Sequence, residues 1–494
     1  MNPWQRLAGL SRDDIKQLQD RKLHQFINEY IYPFSPYYRK LFDDNKIDPR
    51  NIRRAEDLRH IPFTSKRDFI DDDEEYPRFR DFVLQPDAEK IRRAWPVSKT
   101  VPLAVLKALR GSEAVVHRIS QEFRPVFMTY TTGTTNKPIP FMYSNYDVDN
   151  WRVSGARMMN LFEVDPEEKV LNLFPYAPHL AFWQVVFGGL AACNLVLSTG
   201  GGKTVGTEGN IKALAKMQPT LVLGVPSYVY HVLRTAMDDG VRLDFVKKVV
   251  LGASKVTVGF KKKLAELLTA MGATDVRIFG TYGFTEARCA WAESPTGLEE
   301  SSGYHLYPDR EIFEVIDPET GEVKGEGEDG EIVYTSLDSR GSSVLRYRTG
   351  DFVRGGIRYD KCPYKNWFVP RLSSDISRLS DVKDLQLSKV KGALVNLNHF
   401  GAVLSDLPVV DEWQLEIRKK DDDPYEVDEL VVYVCVKSDC DRAALERKIR
   451  QEMVAATEVA PNKIVYIEHP EMVERLQIEV ANKEKRVVDA RPQG

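Results

Sequence analysis

The pattern of apolar and polar positions changes character along the chain. Up to about Pro125 the sequence is charged and predicts helices, and IPFTSKRDF places Thr64 or Ser65 where a helix cap belongs. Residues 73–125 hold acidic and basic runs with no chemical signature, the pattern of a solvated helical excursion. From Val126 short apolar runs take over. KVLNLFPYA, NLVLSTGGG, PTLVLGVPSY, KKVVLGASK and DVRIFGTYGF each end in small or turn residues. Helix-like segments such as IKALAKM, YVYHVLRTAMDDG and GFKKKLAELLTAMGA lie between several of them. That alternation predicts a mostly parallel sheet, in which ligands gather at the carboxyl ends of the strands.

Residues 310–360 turn β-rich, with REIFEVIDP, ETGEVKGEGEDG and EIVYTSL reading as strand, turn and strand. After Gly392 the pattern restarts. WQLEIRK, ELVVYVCVK, DRAALERKIRQEMVAAT and KIVYIEH predict a compact α+β unit. The expected fold class is α/β: a large N-terminal body of mixed and parallel sheets with flanking helices over residues 1–376, a hinge region over 377–391, and a small mobile α+β domain over 392–494.

Composition narrows the function classes. The 494 residues are 43% hydrophobic and 29% charged with a net charge of −4, which gives no electrostatic case for nucleic acid or an anionic membrane as partner. Five scattered cysteines argue against a disulfide framework, and the first twenty residues lack an apolar core of signal-peptide length. A cytoplasmic protein is expected.

Four stretches carry candidate chemistry. YTTGTTNKP, residues 130–138, lacks Walker spacing, yet its hydroxyls, loop amides and Lys137 suit polyphosphate; a polar surface loop fits the composition equally well. GTYGFTEAR, residues 280–288, offers Tyr282 for stacking on a purine, Thr285 for a phosphate and Glu286 as a hard oxygen ligand for magnesium. Alone it reads as a strand-end turn. VLRYRTGDF, residues 344–352, ends in Asp351, an acid of the kind that accepts ribose hydroxyls in other nucleotide folds. VANKEKRVVDARP supplies Lys483 and Arg486 near the end of the chain.

In this order the four stretches resemble the adenylate-forming superfamily of acyl-CoA synthetases, peptide-synthetase adenylation domains and luciferases, and among these the phenylacetate–CoA ligase branch. SPYYRKLFDDNKIDPRNIRRAEDLRHIPFTSKRDF is similar to the opening of that branch, FEVIDPETGEVKGEGEDGEIVYTSLDSRGSSVLRYRTGDF to its most specific region, and KVKGALVNLNHFGAVL with KEKRVVDARP to its tail. The resemblance implies that Thr131, Thr132, Gly133, Thr134, Thr135 and Lys137 cradle the ATP phosphates. It implies that Gly252, Ala253 and Ser254 line the adenine, with Thr281, Tyr282 and Gly283 beside it. Thr285 then holds the α-phosphate, Glu286 magnesium, and Asp351 with Arg378 the ribose. Lys483 bridges carboxylate and phosphate, and the small domain rotates between adenylation and thiol transfer. The implied cofactors are ATP, magnesium and coenzyme A or a carrier-protein thiol; a homodimer is implied by the same resemblance.

The match frays in three places. Asn136 stands where a second loop glycine is usual, residues 73–125 exceed the usual length, and extra residues lie between Arg378 and Gly392, where Asp381, Lys383 and Asp384 compete as pivot. Cys289, His305 and Cys362 fall where some relatives bind structural zinc, but Tyr364 replaces the fourth ligand, so ordinary buried residues are the expectation. FPYAPHLAFW places Tyr176, His179, Phe182 and Trp183 beside the acid pocket, suiting an aromatic acid; core packing explains them as readily. The expected function is an AMP-forming ligase that activates an aromatic carboxylic acid and passes it to coenzyme A. The alternatives are transfer to a carrier protein or an amine, adenylation without thioester formation, and a catalytically silent scaffold.

Overall fold

The computed structural model describes residues 3–70, 77–131, 138–177, 179–379, 387–390, 393–420, 428–437, 440–457, 459–479 and 484–491. In the N-terminal region, α1 (Arg12–Phe26) and α2 (Pro36–Asp44) are capped by Ser11 and Ser35. Ser65 caps a single 3-10 turn, Lys66–Phe69, with Asp68 reaching back to its backbone at 2.7 Å. Thr64 instead is buried against the Tyr38 hydroxyl at 3.1 Å.

The excursion is helical, as its charge pattern predicts. It comprises α3 (Ala88–Ala94) and α4 (Val97–Phe123), the latter broken at Gly111, whose φ is +83°. Its solvent face is not uniformly polar: Val97, Val101, Val105 and Leu109 stand exposed at four-residue spacing, one stripe of the helix. Between α3 and α4 lies an apolar cavity of about 640 Å³ lined by Val83, Leu84, Ile91, Val115, Ile119 and Phe123.

A hairpin of β1 (Pro125–Tyr130) and β2 (Pro140–Ser144) then leads into α5 (Asn145–Leu161). The central sheet follows: β3 (Lys169–Asn172), α6 (Leu180–Ala192), β4 (Leu195–Ser198), α7 (Gly202–Met217), β5 (Leu221–Gly224), α8 (Pro226–Asp238), β6 (Lys248–Leu251), α9 (Val258–Ala270), β7 (Arg277–Phe284) and β8 (Cys289–Ala292). The strand order is β4-β3-β5-β6-β7-β8, parallel except for the last pair. Each predicted apolar run is one of these strands. LVLG and KVVL are buried at every position because helices cover both faces, which is why they read as continuous rather than alternating.

A second, antiparallel sheet joins β9 (Glu311–Ile316), β10 (Gly330–Ser336), β11 (Tyr347–Arg354) and β12 (Asp375–Arg378) in that order. The C-terminal unit begins with α10 (Leu397–Ser405) and continues through β13 (Val410–Lys419), β14 (Asp428–Val436), α11 (Arg442–Thr457), β15 (Lys463–Tyr466), α12 (His469–Leu476) and β16 (Val487–Asp489). Its sheet order is β15-β14-β13-β16. One face carries Trp413, Leu415, Ile417, Leu430, Val432 and Val434 in a core with α10 and α11. From the other side Cys435 joins Met472, Leu476 and Ile478 in the core of the large body. The α12 helix and the parallel β16 had no separate signal in the apolar pattern: both are short and amphipathic. No helix among the described residues is long and apolar enough to cross a membrane.

Candidate active site

The carboxyl ends of β6 and β7 meet the β11–β12 edge of the second sheet. In register, Asp351 on β11 faces Arg378 on β12. The Asp351 carboxylate takes 3.1 Å contact from the Arg378 guanidinium on one oxygen and a 2.7 Å hydrogen bond from the Tyr282 hydroxyl on the other. Three residues singled out from separate stretches of sequence thus form one unit. Arg378 also donates to the Thr349 carbonyl at 3.3 Å, and the Asp351 amide donates to the Thr349 hydroxyl at 3.1 Å. The Tyr282 ring is half-buried and already packs at 27–30° to Tyr304 and Trp291, with centroids 6.0 and 5.7 Å away.

Gly252, Ala253 and Ser254 form the turn after β6, beside Thr281. A Cβ on Gly252 would lie 2.4 Å from the Thr281 Oγ1, so the backbone approaches that side chain as only glycine permits. Ala253 takes the left-handed conformation, φ +69°. One residue on, Lys255 pairs with Asp375 of β12 at 2.6 Å and ties this turn to the second sheet. Gly283 pairs with Ala290 in the β7–β8 ladder.

Thr285 and Glu286 open a 3-10 turn at the end of β7. The Glu286 carboxylate accepts a hydrogen bond from Tyr347 at 2.7 Å. Burial lifts its carboxyl above the ordinary glutamate range, against the opposing pull of that bond. Lys66 is the cation the sequence reading missed. Burial lowers its ammonium pKa, Glu286 opposes that shift and Arg378 adds to it, which places Lys66 within the electrostatic reach of both. Its position in a capping motif gave no hint of this.

Thr131 closes the β1–β2 hairpin: its amide donates to the Ile139 carbonyl at 3.0 Å, and its hydroxyl accepts from the Ile139 amide at 3.1 Å. Tyr143 of β2 lies 2.8 Å from the Thr129 hydroxyl and donates to the Thr285 carbonyl at 3.4 Å, joining hairpin and 3-10 turn. Thr132, Gly133, Thr134, Thr135, Lys137 and Lys483 lie outside the described residues.

The predicted acid-pocket residues cluster beside the same hairpin. Tyr176 is 60% exposed and meets Phe182 and Trp183 edge-on at 5.3 and 5.9 Å. Trp183 packs on Phe127 of β1, and His179 donates through Nδ1 to the Tyr130 carbonyl at 3.2 Å. Phe182 is buried in the core. Tyr176 is therefore the exposed member of the group, His179 and Trp183 are half-buried, and Phe182 packs beneath them.

Two of the three candidate zinc ligands meet: His305 Nε2 lies 3.4 Å from Cys362 Sγ. Cys289 turns instead to Glu311, 3.7 Å away, and Tyr364 donates to Glu300. Among the described residues these three do not bring their ligand atoms together; Asp411, Cys435 and His469 are the group that does. All five cysteines are free thiols.

The fold is that of the adenylate-forming ligases, and residues 59–339 match the AMP-binding enzyme family, to which the chain belongs. It is an AMP-forming acid ligase of the acyl-CoA synthetase type. Curated relatives include the phenylacetate-coenzyme A ligase of Thermus thermophilus, 26% identical over 84% of this chain and 80% of that protein. The enzyme of the same name from Aromatoleum evansii is 24% identical over 98% of this chain and 96% of its own. Among solved structures, 2-hydroxyisobutyryl-CoA ligase in its postadenylation state with 2-HIB-AMP overlaps with a TM-score of 0.75 at 17% identity, covering 98% of this chain and 92% of that one. In its thioesterification state with CoA the TM-score is 0.61, covering 98% and 91%.

Proposed function

We propose that the chain activates an aromatic carboxylic acid with ATP and transfers the acyl group to coenzyme A. The observation that carries this reading is the junction of Tyr282, Asp351 and Arg378 in one cleft with Glu286 and the hairpin ends. A hydroxide is a poor leaving group, so the acid's carboxylate attacks the α-phosphate of ATP, pyrophosphate leaves, and an acyl-adenylate forms; a thiolate then attacks the acyl carbon and AMP leaves.

The residue types suit that chemistry. Asp351 still has acceptor capacity for ribose hydroxyls beside Arg378. Tyr282 and the turn of Ala253 and Ser254, which lies beside Thr281, are the groups that would border a base. Glu286 is a hard oxygen donor aimed from the strand end, and the donor set fits magnesium, which when bound neutralises charge on the phosphoryl oxygens. Thr131 fixes one end of the phosphate loop through Lys137. Lys483 supplies a cation to the developing charge from the terminal domain, as the family resemblance implies.

Aromaticity of the substrate rests on Tyr176, which presents an exposed ring above the Phe182–Trp183 wall. The arrangement of body and terminal domain overlaps the postadenylation structure of 2-hydroxyisobutyryl-CoA ligase more fully than the thioesterification one, and we read it as the adenylation-side orientation. The test is ATP–pyrophosphate exchange across aryl and aliphatic acids, followed by addition of coenzyme A or a carrier protein. Exchange is expected with aryl acids and thioester with coenzyme A. Exchange with no acid at all would overturn the reading, and thioester formation on a carrier protein alone would reassign the acceptor.

A further inference from the structure

Beside the apolar contact of Cys435, Met472, Leu476 and Ile478, the terminal domain meets the body through charged and polar groups that the nucleotide chemistry does not use. On β13 the pairing with β14 slips: Val410 faces Val436 and Glu412 faces Cys435, which leaves Asp411 as the extra residue of a bulge. A bulge re-aims a side chain and breaks the ladder, and it persists where that re-aiming has a use. Here it directs a 3% exposed carboxylate toward the body. Tyr230 of α8 donates its hydroxyl to that carboxylate. Lys263 of α9 lies 3.6 Å from it with its ammonium 4.2 Å over the Tyr230 ring. From its own domain Asp411 faces His469 Nδ1 at 3.5 Å. These groups hold Asp411 ionised despite its burial.

A second contact lies a few residues before the candidate lysine. Glu479 accepts from the Thr207 hydroxyl of α7 at 2.6 Å and lies 3.4 Å from His231 Nε2 of α8. The His231 ring stacks on His469 at 5.7 Å, which joins the two contacts. Around them, Lys437 reaches Glu266 of α9 at 3.5 Å. Gly259, at the start of α9, comes so near the C-terminal unit that a Cβ there would lie 2.7 Å from the Asp406 carboxylate.

We propose that Asp411 and Glu479, received by Tyr230, Lys263, Thr207 and His231, form a two-point latch that holds the terminal domain in the adenylation-side orientation. They are positioning residues, acting through the placement of the segment that contains Lys483; this assignment rests on the proposed function above. Both contacts join residues of different domains, so a rotation of the terminal domain must break them. Leaving Asp411 buried without its partners costs several kcal/mol, whereas exposing it to water in the rotated state does not. The latch therefore biases the equilibrium without freezing it. Asp411, Cys435 and His469 also bring three ligand atoms within 4.8 Å. The Lys263 ammonium beside the shared carboxylate already supplies the cation, and the cluster reads as the latch rather than a metal site.

The test uses Tyr230→Phe, which keeps the buried ring, and Glu479→Ala on the terminal side, each with its thermal midpoint recorded. Pyrophosphate exchange is expected to fall about tenfold in each, the equivalent of ~1.4 kcal/mol. Thioester formation from supplied acyl-adenylate is expected to hold or rise. Equal loss in both half-reactions, or loss in neither, overturns the latch. A readout that needs no substrate is the distance distribution between labels on Cys193 and Cys440, the two thiols that are not buried. One distance is expected in the unaltered protein and a second population in each variant. An unchanged distribution overturns the latch even where the proposed activity stands, and a changed one supports it even where no acid is found.

Discussion

Tyr282 and Asp351, sixty-nine positions apart, share a 2.7 Å hydrogen bond that fastens β7 of the central sheet to β11 of the second one. The bond and the facing Arg378 leave Asp351 oriented toward the cleft. Asp351→Ala removes the acceptor of the Arg378 and Tyr282 contacts, and hydrogen bonds that involve a charged group are worth about 1.5–3 kcal/mol. The KM for ATP in pyrophosphate exchange is expected to rise ~10–100-fold. Tyr282→Phe, which keeps the ring and loses only the donor, is expected to produce a smaller rise in the same assay.

Glu286 gives a pH prediction whose sign follows from its burial. Its carboxyl ionises at a higher pH than an exposed glutamate, so the charged form needed for a divalent cation is lost as pH falls through that raised value. The acid limb of kcat/KM for ATP is expected above the ordinary glutamate range and is expected to move to lower pH as magnesium is raised. Glu286→Gln is expected to lower adenylation ~100-fold or more, the scale seen when one electrostatic stabiliser is removed. An acid limb that ignores magnesium would argue against metal binding at this carboxylate.

How much of this was legible beforehand depends on which residues are asked about. Buried parallel strands read directly, since LVLG is apolar throughout and KVVL carries a charge only at its first position, Lys248. Asp351 and Tyr282 are visible only through the order of motifs; their direct bond requires β7 of the central sheet to approach β11 of the second, and the register of β11 against β12 brings Arg378 opposite Asp351. Lys66 has no signal of its own in the sequence, because its electrostatic coupling to Glu286 depends on a fold-level approach of the N-terminal segment. Asp411 had no signal at all: a bulge is a property of pairing between two strands. Order alone says less about the cysteines: Cys289, His305 and Cys362 match the order of a zinc set, yet only His305 and Cys362 approach one another while Cys289 turns to Glu311.

Tyr176 separates pocket from packing. Its side chain is largely exposed, so Tyr176→Ala removes little core and is expected to leave the thermal midpoint within a few degrees. If the ring contacts the acid, KM for an aryl acid rises about tenfold, the worth of one aromatic contact with its buried area. KM for a short aliphatic acid is expected to change less. Equal changes for both acids would place Tyr176 outside the recognition of aromatic rings.

Glu311 offers a stability test away from the nucleotide. It is buried at the start of β9, where one oxygen accepts from the Trp291 indole at 2.5 Å and the Tyr307 amide at 2.7 Å, while the other faces the Cys289 thiol. Burial pushes its carboxyl up to about 8, further than those two donors pull it back. Because the folded pKa exceeds the unfolded one, the neutral acid favours the fold at low pH. That contribution is lost as pH rises from the ordinary glutamate range through about 8. The loss is on the order of a few kcal/mol. Glu311→Gln keeps an acceptor for both donors and cannot ionise, so its unfolding midpoint in urea is expected to overtake that of the unaltered protein as pH climbs past neutrality. Parallel midpoint-against-pH curves for the two proteins would mean that the Glu311 carboxyl ionises at the same pH folded as unfolded, so that burial does not raise it.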